Sequence, residues 1–461
     1  MATNTPTKEE TTPAVKVNGN TDSDWSKPLR QLFTELISCN SVMNEAAAEL
    51  YFYSFMGAYL NKVKIKDGVS NKDLRVSLCW IQTARSGKGR VNKAMKKICD
   101  ACGVSCQIIT QYTEAGLIGT IDEEAIKAND KYISEGLCEA SPSIIVKDKN
   151  GNDKTILWRD PIIRGDAGNY DILIFDEMQI LLEPKRENQE IILSLQPVLD
   201  CPPYVRKKLR SKYPIEYSNP LTIIGTTYPF QTVPTIVATS GFLQRMFLLI
   251  RKLTIDEIKT MKDMQKTLMD PNISVTFDKK LEIFKKRIEK VGRAPRTLIV
   301  DMEARDELTT VSHYFINLIR DRKGGSRETL LSFANTVEEV CLKIAGQYVV
   351  QHGGTTIKKN DIRRNFEITR GFMEMLAKKI DVRDDKEAEE EKKRVIEIFK
   401  RTISVLKVDH LSKKEFKEAI NKVFNKGLMG CAAMIDAYTE AGYFTTRKGT
   451  KNTINYYLNN E

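Results

Sequence analysis

The sequence predicts an α/β fold: a parallel sheet built around a phosphate-binding loop, with an N-terminal helical segment, a helical lid and a C-terminal winged helix. Three observations predict it. Ile81–Arg90 (Ile-Gln-Thr-Ala-Arg-Ser-Gly-Lys-Gly-Arg) sets a Gly-Lys-Gly turn between an apolar run and a stretch of helical spacing. Tyr170–Leu181 carries four consecutive apolar residues, Ile172–Phe175, and then the paired carboxylates Asp176 and Glu177. The C-terminal stretch reads as three helices and a hairpin, Phe444–Leu458, with a basic Gly turn.

Length and composition set the frame. A chain of 461 residues is too long for one ordinary domain, and 41% hydrophobic residues suffice for real cores. Lys and Arg number 72 against 61 Asp and Glu, a net charge of +11, which suits a polyanionic partner without requiring one. The apolar segment Leu50–Leu60 is too short to cross a bilayer, so no membrane contact is expected. Residues 1–24 are polar, lack an apolar core of signal-peptide type and are expected to be a disordered tail. Nine scattered cysteines suit a reducing, intracellular compartment rather than secretion. Cys99, Cys102 and Cys106 are read as small buried side chains, and His313, His352 and His410 as structural.

The expected order of elements follows the chain. Residues 25–65 form a helical segment, Trp25 to Tyr59, with Lys62–Asp73 as a polar connector. The core, 66–253, begins with a strand over Arg75–Gln82. A helix follows, with Val91, Met95, Ile98 and Cys102 on one face and Gly103 at its end. Val104–Gln111 is a second strand, Tyr112–Gly119 a loop, and about 122–169 an insertion between core strands. At the carboxyl end of the acidic strand, Asp176 is placed to hold Mg²⁺ and Glu177 to polarise a water; an acidic helix start is the structural alternative. Leu221–Pro229 is an apolar strand running into Thr226, Thr227 and Tyr228, any of which can reach a phosphate or a lytic water. Tyr204–Lys212, with Arg206, Lys207, Lys208 and Arg210, is either a nucleic-acid contact or a solvated helix face. Arg245 stands between a turn and the next buried strand, suited to reach a neighbouring subunit.

Residues 254–381 read as a helical lid, with helices over Thr329–Gln351 and Asp361–Ile380. Arg327 lies just before the first of these, as a second phosphate sensor or an N-terminal salt bridge. The charge run around 382–394 reads as a linker that turns helical. Residues 395–461 supply helices over Val395–Leu406, Lys413–Asn425 and about Leu428–Glu440, then the hairpin. That segment is net basic, and Arg447 and Lys448 in the hairpin are candidate DNA contacts; winged helices also dock proteins, so a replication protein is a further expected partner.

Taken in order, Ile172–Glu177, Asn219–Pro229 and Ser240–Met246 resemble the ATPase core of virus- and plasmid-type primase-helicases. They are also distantly similar to the minichromosome maintenance helicases, rings of the AAA+ class that end in a winged helix. The resemblance spans roughly residues 75–380 and implies a P-loop NTPase with an AAA+/RecA-like parallel sheet, using ATP and Mg²⁺. On it, Lys88 binds the β- and γ-phosphates, with Ser86, Gly87, Gly89 and Arg90 completing the cradle. Asp176 organises Mg²⁺, Glu177 is the catalytic base and Thr227, beside Thr226 and Tyr228, is the first sensor. Arg245 is the finger given to a neighbour and Arg327 the second sensor. Two departures stand out: Gln82 where the loop pattern has Gly, and Gly89 where it has Ser or Thr to ligate Mg²⁺.

The expectation is an ATP-driven helicase or translocase, a hexameric ring, acting on single-stranded or forked DNA in viral or plasmid replication. An initiator or loader that uses ATP as an assembly switch is the alternative, and a scaffold whose loop binds nothing is a third.

Overall fold

Apolar runs separated by longer crossings can pair only in parallel, and five of them do so here. They are β1 (Leu78–Gln82), β2 (Cys106–Ile109), β3 (Ile172–Phe175), β4 (Thr222–Thr227) and β5 (Phe247–Arg251). The computed structural model describes residues 24–38, 45–67, 70–82, 87–182, 186–200, 205–207, 215–217, 220–227, 241–251, 254–267, 271–321, 330–331, 333–424, 427–440, 443–449 and 453–459. The order across the sheet is β5-β1-β4-β3-β2, parallel throughout. Every residue of β1, β3 and β4 is buried, as expected of parallel strands covered on both faces. In register, Thr227 lies beside Ile81 and Gly225 beside Phe175. Gln82, Asp176 and Thr226 therefore reach one edge of the sheet together.

Helices α1 (Leu29–Ser38) and α2 (Glu45–Tyr59) precede the sheet, and α3 (Lys88–Ala101) follows β1. The two N-terminal helices meet through Phe33, Phe52 and Phe55, with ring centroids 5.5–5.7 Å apart, and Phe33 and Phe55 also close on Phe284 at 5.7 and 5.6 Å. α2 approaches the backbone before β1 closely: a Cβ added at Gly57 would stand 2.5 Å from the Leu74 carbonyl oxygen and 2.7 Å from the Arg75 Cα. In an exposed helix a Gly→Ala change gains up to about 1 kcal/mol. At Gly57 the sign is expected to reverse, because backbone cannot move aside as a side chain can. Gly57→Ala should destabilise by about 1–3 kcal/mol in chemical denaturation; a stabilised protein would show that the helix can retreat.

The connector Lys62–Asp73 is not irregular. Val63–Asp67 and Ser70–Asp73 are antiparallel strands, and the first pairs in parallel with Arg296–Val300, itself paired with Thr356–Ile357. Val63 and Ile65 are buried while Lys66 between β-strand partners is exposed, a period-two signal carried by only two apolar residues. Residues 254–381 are thus not a purely helical lid: they contribute to a sheet shared with the segment before β1. Gln347, on the helix Ala334–Gln351, donates its amide to the carbonyls of Tyr53 and Leu74 and ties the two together. The expected loop after β2 contains the short helix Glu114–Ile118, capped by Thr113. The insertion holds a hairpin, Ser143–Lys147 with Asp153–Leu157, and Asp148 collects the turn's backbone amides.

The chain divides into two compact units, Met1–Ala377 and Lys378–Glu461. The helix Lys359–Leu406 takes in the charged stretch 382–394, which is helical as expected. The second unit contains helices Lys413–Phe424 and Gly427–Glu440 and a three-stranded sheet of Leu411–Ser412, Ile454–Leu458 and Phe444–Lys448. Ser412 and Glu415 cap the first of these helices reciprocally, and Phe399, Phe416, Phe444 and Tyr456 form the core. Among the described residues no helix is long and apolar enough to cross a membrane.

Candidate functional site

The first turn of α3 and the carboxyl ends of β1, β3 and β4 meet at one edge of the sheet, where ligands of open α/β sheets bind. Gly87 adopts φ +83° before α3, a left-handed conformation that an L side chain would strain. Lys88 opens the helix and is almost fully buried. Its ammonium donates to the Gln82 carbonyl at 2.8 Å. Burial lowers its pKa to about 8, against the pull of the Asp176 carboxylate, which favours the charged form.

Asp176 follows β3 and is half-buried, with Glu177 exposed beside it. Asn92, one turn beyond Lys88 on the same face of α3, is fully buried. Its amide donates to Asp176 at 2.5 Å and to the Thr226 hydroxyl at 3.4 Å, and its carbonyl oxygen accepts from the Tyr51 hydroxyl at 2.8 Å. Thr226 in turn donates to the Asp176 backbone carbonyl at 2.7 Å. Burial, and then the charge of Asp176, push the Tyr51 hydroxyl well above its ordinary range, so Tyr51 stays neutral. Of the two threonines it is Thr226 that joins the carboxylate. Thr227, the expected sensor, points to the opposite side of the strand and reaches Gln179 at 3.3 Å. Gly89 lies against Asp176, and a Cβ there would be 3.5 and 3.8 Å from the two carboxylate oxygens.

Asn92 and Tyr51 are additions that the sequence reading does not contain. A polar residue four positions after Lys88, set among the buried Val91, Ala94 and Met95, was the available signal for Asn92. Tyr51 stands inside an apolar cluster and carried none.

Arg245 is elsewhere. It sits in the single turn Leu243–Arg245 ahead of β5, whose first residue pairs with Leu78 at the amino end of β1. The two sheet edges are roughly 15–20 Å apart at about 3.3 Å per residue, so Arg245 cannot serve the loop of its own chain. Its guanidinium donates to the carboxylate of Asp200 and to the Gly241 carbonyl. Arg206 and Lys207 fall on a short strand, Val205–Lys207, paired with Ile215–Tyr217, which replaces the helix-face alternative there. Arg447 and Lys448 are exposed on the hairpin, with the Arg447 guanidinium 4.9 Å above the Tyr457 ring. Arg90 is exposed near the start of α3. Ser86, Lys208, Arg210, Tyr228 and Arg327 lie outside the described residues.

Mg²⁺ sites of nucleotide-binding proteins use one or two carboxylates with phosphate and water oxygens. Asp176, next to a buried amide and a hydroxyl, fits that donor set. Among the described residues no cluster of three or more His, Cys, Asp and Glu could hold a metal by itself. The chain matches no protein-family model and no curated protein.

Proposed function

We propose that this chain is a nucleotide-dependent motor, an ATP hydrolase of helicase or translocase type that acts on DNA as an oligomeric ring. The observation that carries the reading is the meeting of Lys88, Asp176, Asn92 and Thr226 at the carboxyl edge of a five-stranded parallel sheet. In this reading the Lys88 ammonium compensates the phosphate charge and leaves its present carbonyl partner to do so. Asp176 holds Mg²⁺, which neutralises charge on the transferred phosphoryl group when bound. Glu177, exposed beside Asp176, takes a proton from the attacking water. Thr226 sits on the strand between loop and acid, where a hydroxyl can sense the terminal phosphate. Arg245 faces away from its own loop and serves the neighbouring subunit.

The test is ATP turnover with and without single-stranded DNA, combined with solution mass in the presence of ATP. Stimulated turnover by a ring-sized species is expected; ATP that neither binds nor changes the mass overturns the reading. Gly89 supports a second reading, an ATP-switched initiator or loader, since it offers no hydroxyl to Mg²⁺. Tight ATP binding with negligible turnover would favour that one.

DNA contact by the second unit is proposed on Arg447 and Lys448. Each phosphate contact removed lowers the slope of log affinity against log salt by about 0.7–0.9. Arg447→Ala/Lys448→Ala should therefore flatten the salt dependence of single-strand binding by about 1.5. An unchanged slope removes the hairpin from the interface.

A further inference from the structure

We propose that Asn92 stands in for the missing loop hydroxyl: with Asp176 it supplies the oxygen pair on which a divalent cation, Mg²⁺ or Mn²⁺, sits against the nucleotide phosphates. The inference rests on the nucleotide-binding reading and adds to it the residue that carries the cation.

Gly89 occupies the position from which a hydroxyl would approach the cation, and its backbone is aimed correctly: an added Cβ would face both Asp176 carboxylate oxygens at 3.5 and 3.8 Å. The main chain is thus built for a ligand that the side chain does not provide. One turn later, on the same face of α3, Asn92 places its carboxamide on that carboxylate and on Thr226. The residue is fully buried, so the amide is held there by its surroundings.

A carboxamide has a donor end and an acceptor end, exchanged by a half-turn of its last torsion. In the structure the nitrogen faces the anionic carboxylate. With a hard cation between them the oxygen is the better neighbour. Tyr51 supports both states, because a hydroxyl donates to the amide oxygen in one and accepts from the amide nitrogen in the other. Thr226 keeps its bond to the Asp176 carbonyl in either. In both orientations the Asn92 carboxamide keeps a partner at the Tyr51 hydroxyl.

The experiment measures binding of a non-hydrolysable ATP analogue with and without Mn²⁺, and Mn²⁺ itself by electron paramagnetic resonance. Asn92→Leu, which keeps the side-chain volume, is compared with its own metal-free affinity for the analogue. It should lose at least about tenfold of the tightening that Mn²⁺ gives. Gly89→Ser/Asn92→Leu is expected to recover it, since the new Cβ fits at ordinary contact distance. Full Mn²⁺ tightening in Asn92→Leu overturns the proposal and leaves the nucleotide site standing. A parent protein that binds no analogue, with or without Mn²⁺, overturns the site and the proposal together. A measurement free of variants decides the case if Asn92→Leu does not fold. The side-chain amide resonance of Asn92 must shift when Mg²⁺ joins the analogue complex, beyond any shift from the analogue alone; a resonance that stays in place overturns the proposal.

Discussion

Lys88→Ala is expected to weaken ATP binding by about 100-fold, with little loss of fold stability. A charge-assisted hydrogen bond contributes about 1.5–3 kcal/mol, and the ammonium can make more than one to a phosphate chain. Three kcal/mol corresponds to roughly a 150-fold change in affinity. The same residue sets a pH signature. Burial holds the free ammonium at a pKa of about 8, and a bound phosphate favours the charged form. The complex therefore binds more protons than the free protein above that pH. ATP binding should take up a proton near pH 8.5, and affinity should fall by up to tenfold per unit as pH rises through about 8–9.5. Below about pH 7 both forms are protonated and this dependence vanishes. Calorimetry in two buffers of different ionisation heat measures the uptake directly. A parent protein and Lys88→Ala that share one pH profile would separate Lys88 from the phosphates.

Which parts were legible in the sequence follows from what periodicity can encode. Ile172–Phe175 with Asp176 and Glu177 was legible because four buried apolar residues and two carboxylates are consecutive. The helix that begins at Lys413 was legible because a serine at the cap position is a local signal. The pairing of Val63–Asp67 with Arg296–Val300 was not, since more than two hundred residues separate partners that share no local signal. The site shows the same division. Lys88 and Asp176 belong to motifs, whereas Asn92 gains its meaning from Asp176 and Tyr51, which folding brings to it from two other elements. The choice between Thr226 and Thr227 was open for a related reason. Adjacent strand residues face opposite sides, and only the sheet register decides which side meets the carboxylate.

Mixing two inactive variants is expected to restore ATP turnover. Glu177→Gln keeps the shape of the site and removes the base, and should lower turnover by about 10²–10⁴ while ATP still binds. Arg245→Ala should lower turnover by about 10³ or more if its guanidinium completes a neighbour's site. Its present bond to Asp200 is no obstacle. Both groups are partly exposed, and surface ion pairs contribute about 0–1 kcal/mol, less than a desolvated phosphate contact returns. The position of Arg245 at the far edge of the sheet from Lys88 makes the prediction specific. In an oligomer, an Arg245→Ala subunit still owns an intact Lys88, Asp176 and Glu177. A Glu177→Gln subunit still owns an intact Arg245. Where the second abuts the first in the right order, one complete site forms from two defective chains. Turnover should then rise with mixing ratio, pass through a maximum near equal amounts and fall on either side. A finger acting within its own chain gives no such maximum, because each chain in the mixture lacks one required group. A flat, inactive mixing curve in a protein whose solution mass shows mixed oligomers would assign Arg245 to its Asp200 pairing alone and leave the loop without a partner in trans.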